Sequence, residues 1–198
     1  FNVRWSHRQD SKSSPSSNFS ASVNLGSSQY FRQSLNEFNN SNFLTNTFSS
    51  SISYQKTFTG TPFNMSANAT HSQNTNTGTV TMALPSLQVS MSRIYPFAGK
   101  GGIKKNPLQK MGLTYNMQGE YRINTNEEDF FKSEMFKTAK AGVQHRADAS
   151  TNITLLNYFT LSPQVNYREV WNFKKINKEF DPSIQNTDGS FGTVVSDT

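Results

Sequence analysis

Met111-Gly112-Leu113-Thr114-Tyr115-Asn116-Met117-Gln118-Gly119-Glu120-Tyr121-Arg122-Ile123 alternates without a slip. Met111, Leu113, Tyr115, Met117, Tyr121 and Ile123 share one parity; Asn116, Gln118, Glu120 and Arg122 share the other. Strand side chains point to opposite faces with a period of two, so this run predicts a β-strand with one apolar and one polar face.

The same rhythm extends outward. Upstream, Phe1, Val3 and Trp5 alternate with Asn2, Arg4 and Ser6, and after an Asp/Ser/Pro turn Phe19, Ala21, Val23 and Leu25 alternate with Ser20, Ser22 and Asn24. Two further strands carry Phe48, Ile52 and Tyr54, and Phe63, Met65, Ala67 and Ala69, separated by Thr59-Gly60-Thr61-Pro62. Val80, Met82 and Leu84 change parity to Leu87, Val89 and Met91 across Pro85. A parity change needs one extra residue and proline lacks a ladder donor, so a bulge is expected at Pro85 and Ser86. Downstream, Ala141, Val143, Ala147 and Ala149 oppose Lys140, Gln144, Arg146 and Asp148, and Val165, Tyr167 and Trp171 follow. The expected strands cover roughly 1–10, 18–27, 45–57, 63–73, 79–95, 108–124, 138–155 and 159–174 in meander order. Residues 27–44 read as a long loop with a short helical turn, and the polar tail from Lys174 as another loop.

Composition narrows the class. Of 198 residues 33% are apolar, well under the roughly 45–50% of an ordinary globular domain, yet aromatics reach 13% with 16 Phe, which argues against disorder. No stretch approaches the ~18 apolar residues of a membrane helix. A mean hydropathy of −0.66 still suits a membrane barrel, whose strands alternate and look soluble. Without cysteine, disulfides and thiolate metal sites are excluded. The net charge of +6 is scattered, which argues against a nucleic-acid partner. The chain starts at Phe1 and ends in a polar run, so a fragment of a longer protein is expected.

A soluble sandwich alternates too. Long strands, Trp5, Tyr54, Tyr121 and Trp171 near strand ends, and connections that start short, long, short favour an all-β, antiparallel up-and-down transmembrane barrel. The interior of an eight-strand barrel must be filled by side chains, and a Ser/Asn/Thr/Gln-rich row suits water better. About eight strands of a larger barrel are therefore expected.

Two segments carry a resemblance. The first is Trp5-Ser6-His7-Arg8-Gln9-Asp10, then Phe19–Leu25 and Ser27-Ser28-Gln29-Tyr30-Phe31. The second is Thr61-Pro62-Phe63-Asn64, His71-Ser72-Gln73-Asn74-Thr75 and Leu84-Pro85 through Ser92-Arg93-Ile94-Tyr95-Pro96-Phe97. In this order they resemble the barrel of the LptD family of outer-membrane lipopolysaccharide-assembly proteins, in its Bacteroidetes branch, over most of residues 1–173. On the family's plan of about 26 strands, the resemblance implies that a periplasmic jelly roll and most of the barrel lie outside this chain. It also implies the mechanism: lipopolysaccharide arrives along a periplasmic bridge, its lipid slips into the outer leaflet of the outer membrane, and its sugars pass the lumen, which a plug lipoprotein of the LptE kind fills.

On that reading Met111, Leu113, Tyr115, Met117, Tyr121 and Ile123 face lipid. Arg4, Asn116, Gln118, Glu120, Arg122, Lys140, Arg146, Asp148 and Arg168 face the lumen, where the basic members pass phosphorylated sugars. Arginine at Tyr115 or Leu113 should impair insertion, and a change at Asn116 should not. Glu120 and Asp148 read as carboxylates neutralised by Arg122 and Arg146, not a glycosidase pair. His7, His71 and His145 lack ligand spacing and read as surface or lumen residues. No catalytic residue, metal site or cofactor is expected; the other function classes considered are a different outer-membrane channel or receptor, and a secreted glycan-binding sandwich.

Overall fold

The 111–123 alternation lies in the middle of one antiparallel sheet. A computed structural model describes residues 2–26, 47–137, 139–156, 158–174, 176–185 and 191–197; the loop expected over 27–44 lies outside them. The sheet has eight strands: β1 (Asn2–Arg8), β2 (Ser17–Gly26), β3 (Thr47–Thr57), β4 (Phe63–Asn74), β5 (Thr79–Ile94), β6 (Gly112–Asn126), β7 (Lys140–Ser150) and β10 (Gln164–Asn172), each paired with the next. The meander holds because each β-rich run is followed by a chain reversal. Asn74 caps the tight turn into β5, its Oδ1 accepting from the backbone of Asn76 and Thr77 at 3.0 and 3.3 Å, and Gly78 supplies the left-handed conformation there. Two small hairpins stand apart from the sheet: β8 (Ile153–Leu155) with β9 (Phe159–Leu161), and β11 (Ile176–Gln185) with β12 (Phe191–Asp197).

Three expectations need correction. The strand expected over 159–174 is broken at Ser162-Pro163, so Phe159–Leu161 folds back on Ile153–Leu155 and only Gln164–Asn172 joins the sheet. Proline lacks the donor that an inner ladder position demands. The tail read as a loop forms the β11–β12 hairpin. The bulge sits one residue early: Leu84 and Pro85, joined by a cis peptide, span the register shift, and Ser86 is paired with both Asn68 and Glu120. A second shift, unexpected from the sequence, lies between Met91 and Ile94, so Ser92 and Arg93 stand opposite Thr114.

Register carries the alternation from strand to strand. One row runs Met65, Val89, Met117, His145, Glu169 and another Phe63, Met91, Tyr115, Ala147, Tyr167. Directly opposed residues share a face, so these rows lie on the apolar side of the sheet. The rows of Ser66, Gln88, Gln118, Gln144 and of Ser90, Asn116, Arg146, Arg168 lie on the other. Eight strands thus divide into an apolar face and a polar one. β1 and β10 each pair on one side only, so the sheet is not closed among the described residues. Among the described residues no helix is long and apolar enough to cross a membrane.

Connections fall at two rims. At the near rim lie 9–16, 58–62, 95–111 and 151–163; at the far rim, among the described residues, 75–78 and 127–139. Each rim mixes short and long connections, so the expected alternation of length does not persist beyond β4.

The fully buried apolar groups gather at the far rim. There 127–139 folds over the apolar face and covers Val80, Met82 and Ile123 with Met135, Ala139 and Phe130. Ile123 is 0% exposed, so of the residues expected to face lipid it is the one enclosed by protein. Sequence parity gives the face of a side chain, not what a later connection lays on it. His71 and Gln73 are buried beside this cluster, with the His71 ring stacked 5.4 Å from Phe130. Among the described residues neither polar atom of the Gln73 side chain has a hydrogen-bond partner. A buried unpaired polar group costs about 1–3 kcal/mol, so Gln73→Met is expected to raise stability by about 1 kcal/mol or more, read as a higher urea midpoint. An unchanged or lower midpoint would assign the amide a partner.

Candidate functional site

The polar face is where charge and concavity coincide. Arg4, Arg8, Arg122, Lys140, Arg146 and Arg168 lie on it, against Glu120 and Asp148. The acidic groups are held by their strand neighbours: Arg122 Nη2 donates to Glu120 Oε1 at 2.8 Å and Arg146 Nε to Asp148 Oδ2 at 3.1 Å. Two residues apart on one strand is one step along one face, which is why these partners meet. Exposed pairs of this kind add only about 0–1 kcal/mol; their effect here is to silence both carboxylates and fix two guanidinium heads. Arg168 donates to Gln144 Oε1 at 2.7 and 3.1 Å, and Arg4 to Asn24 Oδ1 at 3.4 Å.

The face is dished. A concavity of about 560 Å³ is lined by Ser86, Gln88, Gln118, Glu120, Arg122, Lys140, Gln144 and Asn172, with Val170 as an apolar member. Smaller ones hold Gln55, Asn64, Ser66 and Ser90, and Ser6, Arg8, Asn18 and Ser22. Lys140 reaches the 560 Å³ concavity beside Arg122, since the two residues are directly opposed on β7 and β6. The chemistry on offer is hydrogen bonding from amides and hydroxyls plus paired cations, suited to hydroxyl-rich, anionic matter.

At the near-rim end Arg93 runs from β5 across β6 to β7, where Nη2 donates to Ser150 O at 3.1 Å and Ser150 Oγ at 2.7 Å. Gly112 lies beneath: a Cβ there would fall 1.9 Å from Arg93 Nε, so any other residue would displace the strut.

The histidines are on the opposite face from the lumen row, where His7 is exposed, His71 buried and His145 half-buried. His7 lies between Trp5 and Phe19, with ring centroids 6.1 and 5.6 Å away. His145 Nδ1 is 2.7 Å from Tyr115 Oη, and its ring is 4.5 Å from Trp171. Beside it in the same row Glu169 accepts from Tyr167 Oη at 2.7 Å. Sequence reasoning missed this knot. Its signal was parity, since His145 and Glu169 sit at odd positions among alanines and aromatics. Among the described residues no three His, Asp or Glu converge as a metal would require.

Set against family profiles, residues 1–197 match that of the LptD protein. The chain belongs to the LptD family. LptD proteins work in lipopolysaccharide transport and assembly at the outer membrane and are not known as enzymes, and the all-β fold is consistent with that location. No curated protein and no solved structure matches the chain.

Proposed function

We propose that these residues form part of the wall of an outer-membrane β-barrel translocon that inserts lipopolysaccharide into the outer leaflet. Leu113, Tyr115, Met117 and Tyr121 meet lipid; Arg4, Asn116, Gln118, Glu120, Arg122, Lys140, Arg146, Asp148 and Arg168 line the hydrated lumen. The observation that carries this reading is the division of all eight strands into one apolar and one dished polar face. In a soluble fold such an apolar face would be packed by a second layer, whereas Trp5, Val165, Tyr167 and Trp171 remain about half exposed or more. The open part of the face, Leu113 to Tyr121, spans about 26 Å at ~3.3 Å per residue, or about 20 Å when tilted ~40°, most of the roughly 25 Å of a barrel's apolar band.

Lumen cations suit the phosphate groups of the sugar part, which charge-assisted hydrogen bonds hold and release in sequence. A plug lipoprotein inside the lumen and a periplasmic bridge that delivers cargo complete the reading, with further strands closing the wall.

Depleting the protein in its host is expected to lower surface lipopolysaccharide; unchanged surface lipopolysaccharide would favour a barrel for other solutes. Within the site, Arg122→Glu with Lys140→Glu is expected to weaken binding of a phosphorylated core oligosaccharide about tenfold or more, since one charge-assisted hydrogen bond contributes about 1.5–3 kcal/mol. Equal binding by both forms would remove Arg122 and Lys140 from the path.

A further inference from the structure

The near rim is chemically unlike the far one. Connection 95–111 contains Lys100, Lys104, Lys105 and Lys110 and no acidic residue, and all four lysines are exposed. Between them Phe97, Ile103 and Leu108 are 50%, 51% and 55% exposed. The connection is ordered: Gly99 N donates to Ile103 O at 2.8 Å, Gln109 Oε1 accepts from Lys105 N at 2.8 Å, and Lys104 Nζ lies 3.0 Å from the Tyr95 ring centroid. Next to it connection 151–163, which holds the β8–β9 hairpin, has no charged residue and presents Leu156, Tyr158 and Phe159 at 82%, 89% and 65% exposure. Thr151 Oγ1 donates to Pro107 O and Arg93 clasps Ser150, so the two connections form one unit. At the far rim 127–139 carries Glu127, Glu128, Asp129 and Glu134 against Lys132 and Lys137.

Apolar groups this exposed mark a contact surface. Bulky apolar side chains interleaved with lysines suit the headgroup layer of an anionic bilayer, where the chains enter the acyl boundary and the ammonium groups meet phosphates. The unit is also continuous with the apolar face, whose Tyr115 and Tyr167 lie in one row just inside this rim. We propose that the near rim docks on the bilayer: the β8–β9 hairpin and Phe97, Ile103 and Leu108 enter the interface, and Lys100, Lys104, Lys105 and Lys110 bind the headgroups of anionic phospholipid. This rests on the barrel reading and adds a lipid-binding site to it.

The test uses the full-length protein folded into vesicles of phosphatidylcholine, alone or with phosphatidylglycerol, and a fluorophore on Tyr158→Cys or, separately, on Met117→Cys. Lipid-borne and aqueous quenchers report where each sits. Both positions are expected to be quenched from the lipid side. Position 158 should respond at least about twofold more with phosphatidylglycerol present, and lose that increment when the four lysines are changed to Gln. Lipid quenching at 117 with aqueous quenching at 158 in every vesicle overturns the docking and leaves the barrel reading standing. Aqueous quenching at 117 overturns both. Quenching at 158 that ignores phosphatidylglycerol and the lysine changes, or that appears only with lipid A vesicles, overturns the assignment to phospholipid headgroups.

Discussion

Val89→Arg is expected to cost the inserted protein about 2–4 kcal/mol, and Gln118→Arg almost nothing. Val89 and Met117 are directly opposed at mid-height on the apolar face, whereas Gln118 sits one residue along on the polar face. An arginine at Val89 would have to carry its guanidinium to the headgroups or draw water into the bilayer. Glu169, the acidic group in that row, is three strands away and already hydrogen-bonded to Tyr167, so it offers little relief. The penalty should fall with depth: Leu113→Arg, beside the near rim, is expected to cost about 0–1 kcal/mol, which revises the expectation from sequence that Leu113 and Tyr115 would be the sensitive positions. Urea titration of refolding into vesicles measures all three. Equal costs at Val89 and Gln118 would show that parity does not separate lipid from water.

The second large effect is at Ile123. Its side chain is wholly enclosed between β5 and the 127–139 connection, in contact with the cluster of Val80, Met82 and Met135. Ile123→Ala removes three carbons from a site with little room to collapse, and about 2–5 kcal/mol is expected for such a truncation. Met91→Ala, on the open part of the same face, should cost less. Because Met135 anchors the connection, Ile123→Ala should also hasten tryptic cleavage at Lys132 and Lys137, a change that Met91→Ala leaves out. Undiminished protection of those two lysines would mean that the connection is held by something other than this cluster.

How far the sequence could be read follows from what its signals encode. Parity is local, so the two faces of β6 and the strand succession up to β7 were legible from alternation and turn residues alone. Pairing register is not local. It put Met117, His145 and Glu169 in one row, and with it the Tyr115–His145 and Tyr167–Glu169 hydrogen bonds that let polar groups sit on an apolar face. The parity change around Pro85 announced an extra residue but not which one, since either neighbour of the proline restores the alternation. The second shift, at Ser92 and Arg93, stood against Thr114 and left no such mark, because a polar pair can follow Met91 in either register. The cationic face was legible residue by residue; its dished shape depends on how eight strands coil together.

Among the described residues β1 and β10 each pair along one side only, which has a practical meaning for anyone handling this chain. A bare strand margin is a template: its free amides and carbonyls accept the next polypeptide that comes extended alongside, a second copy included. Left to itself, the sheet would grow into ribbons by adding copies, and insolubility of the chain would report those two margins and not the quality of its fold.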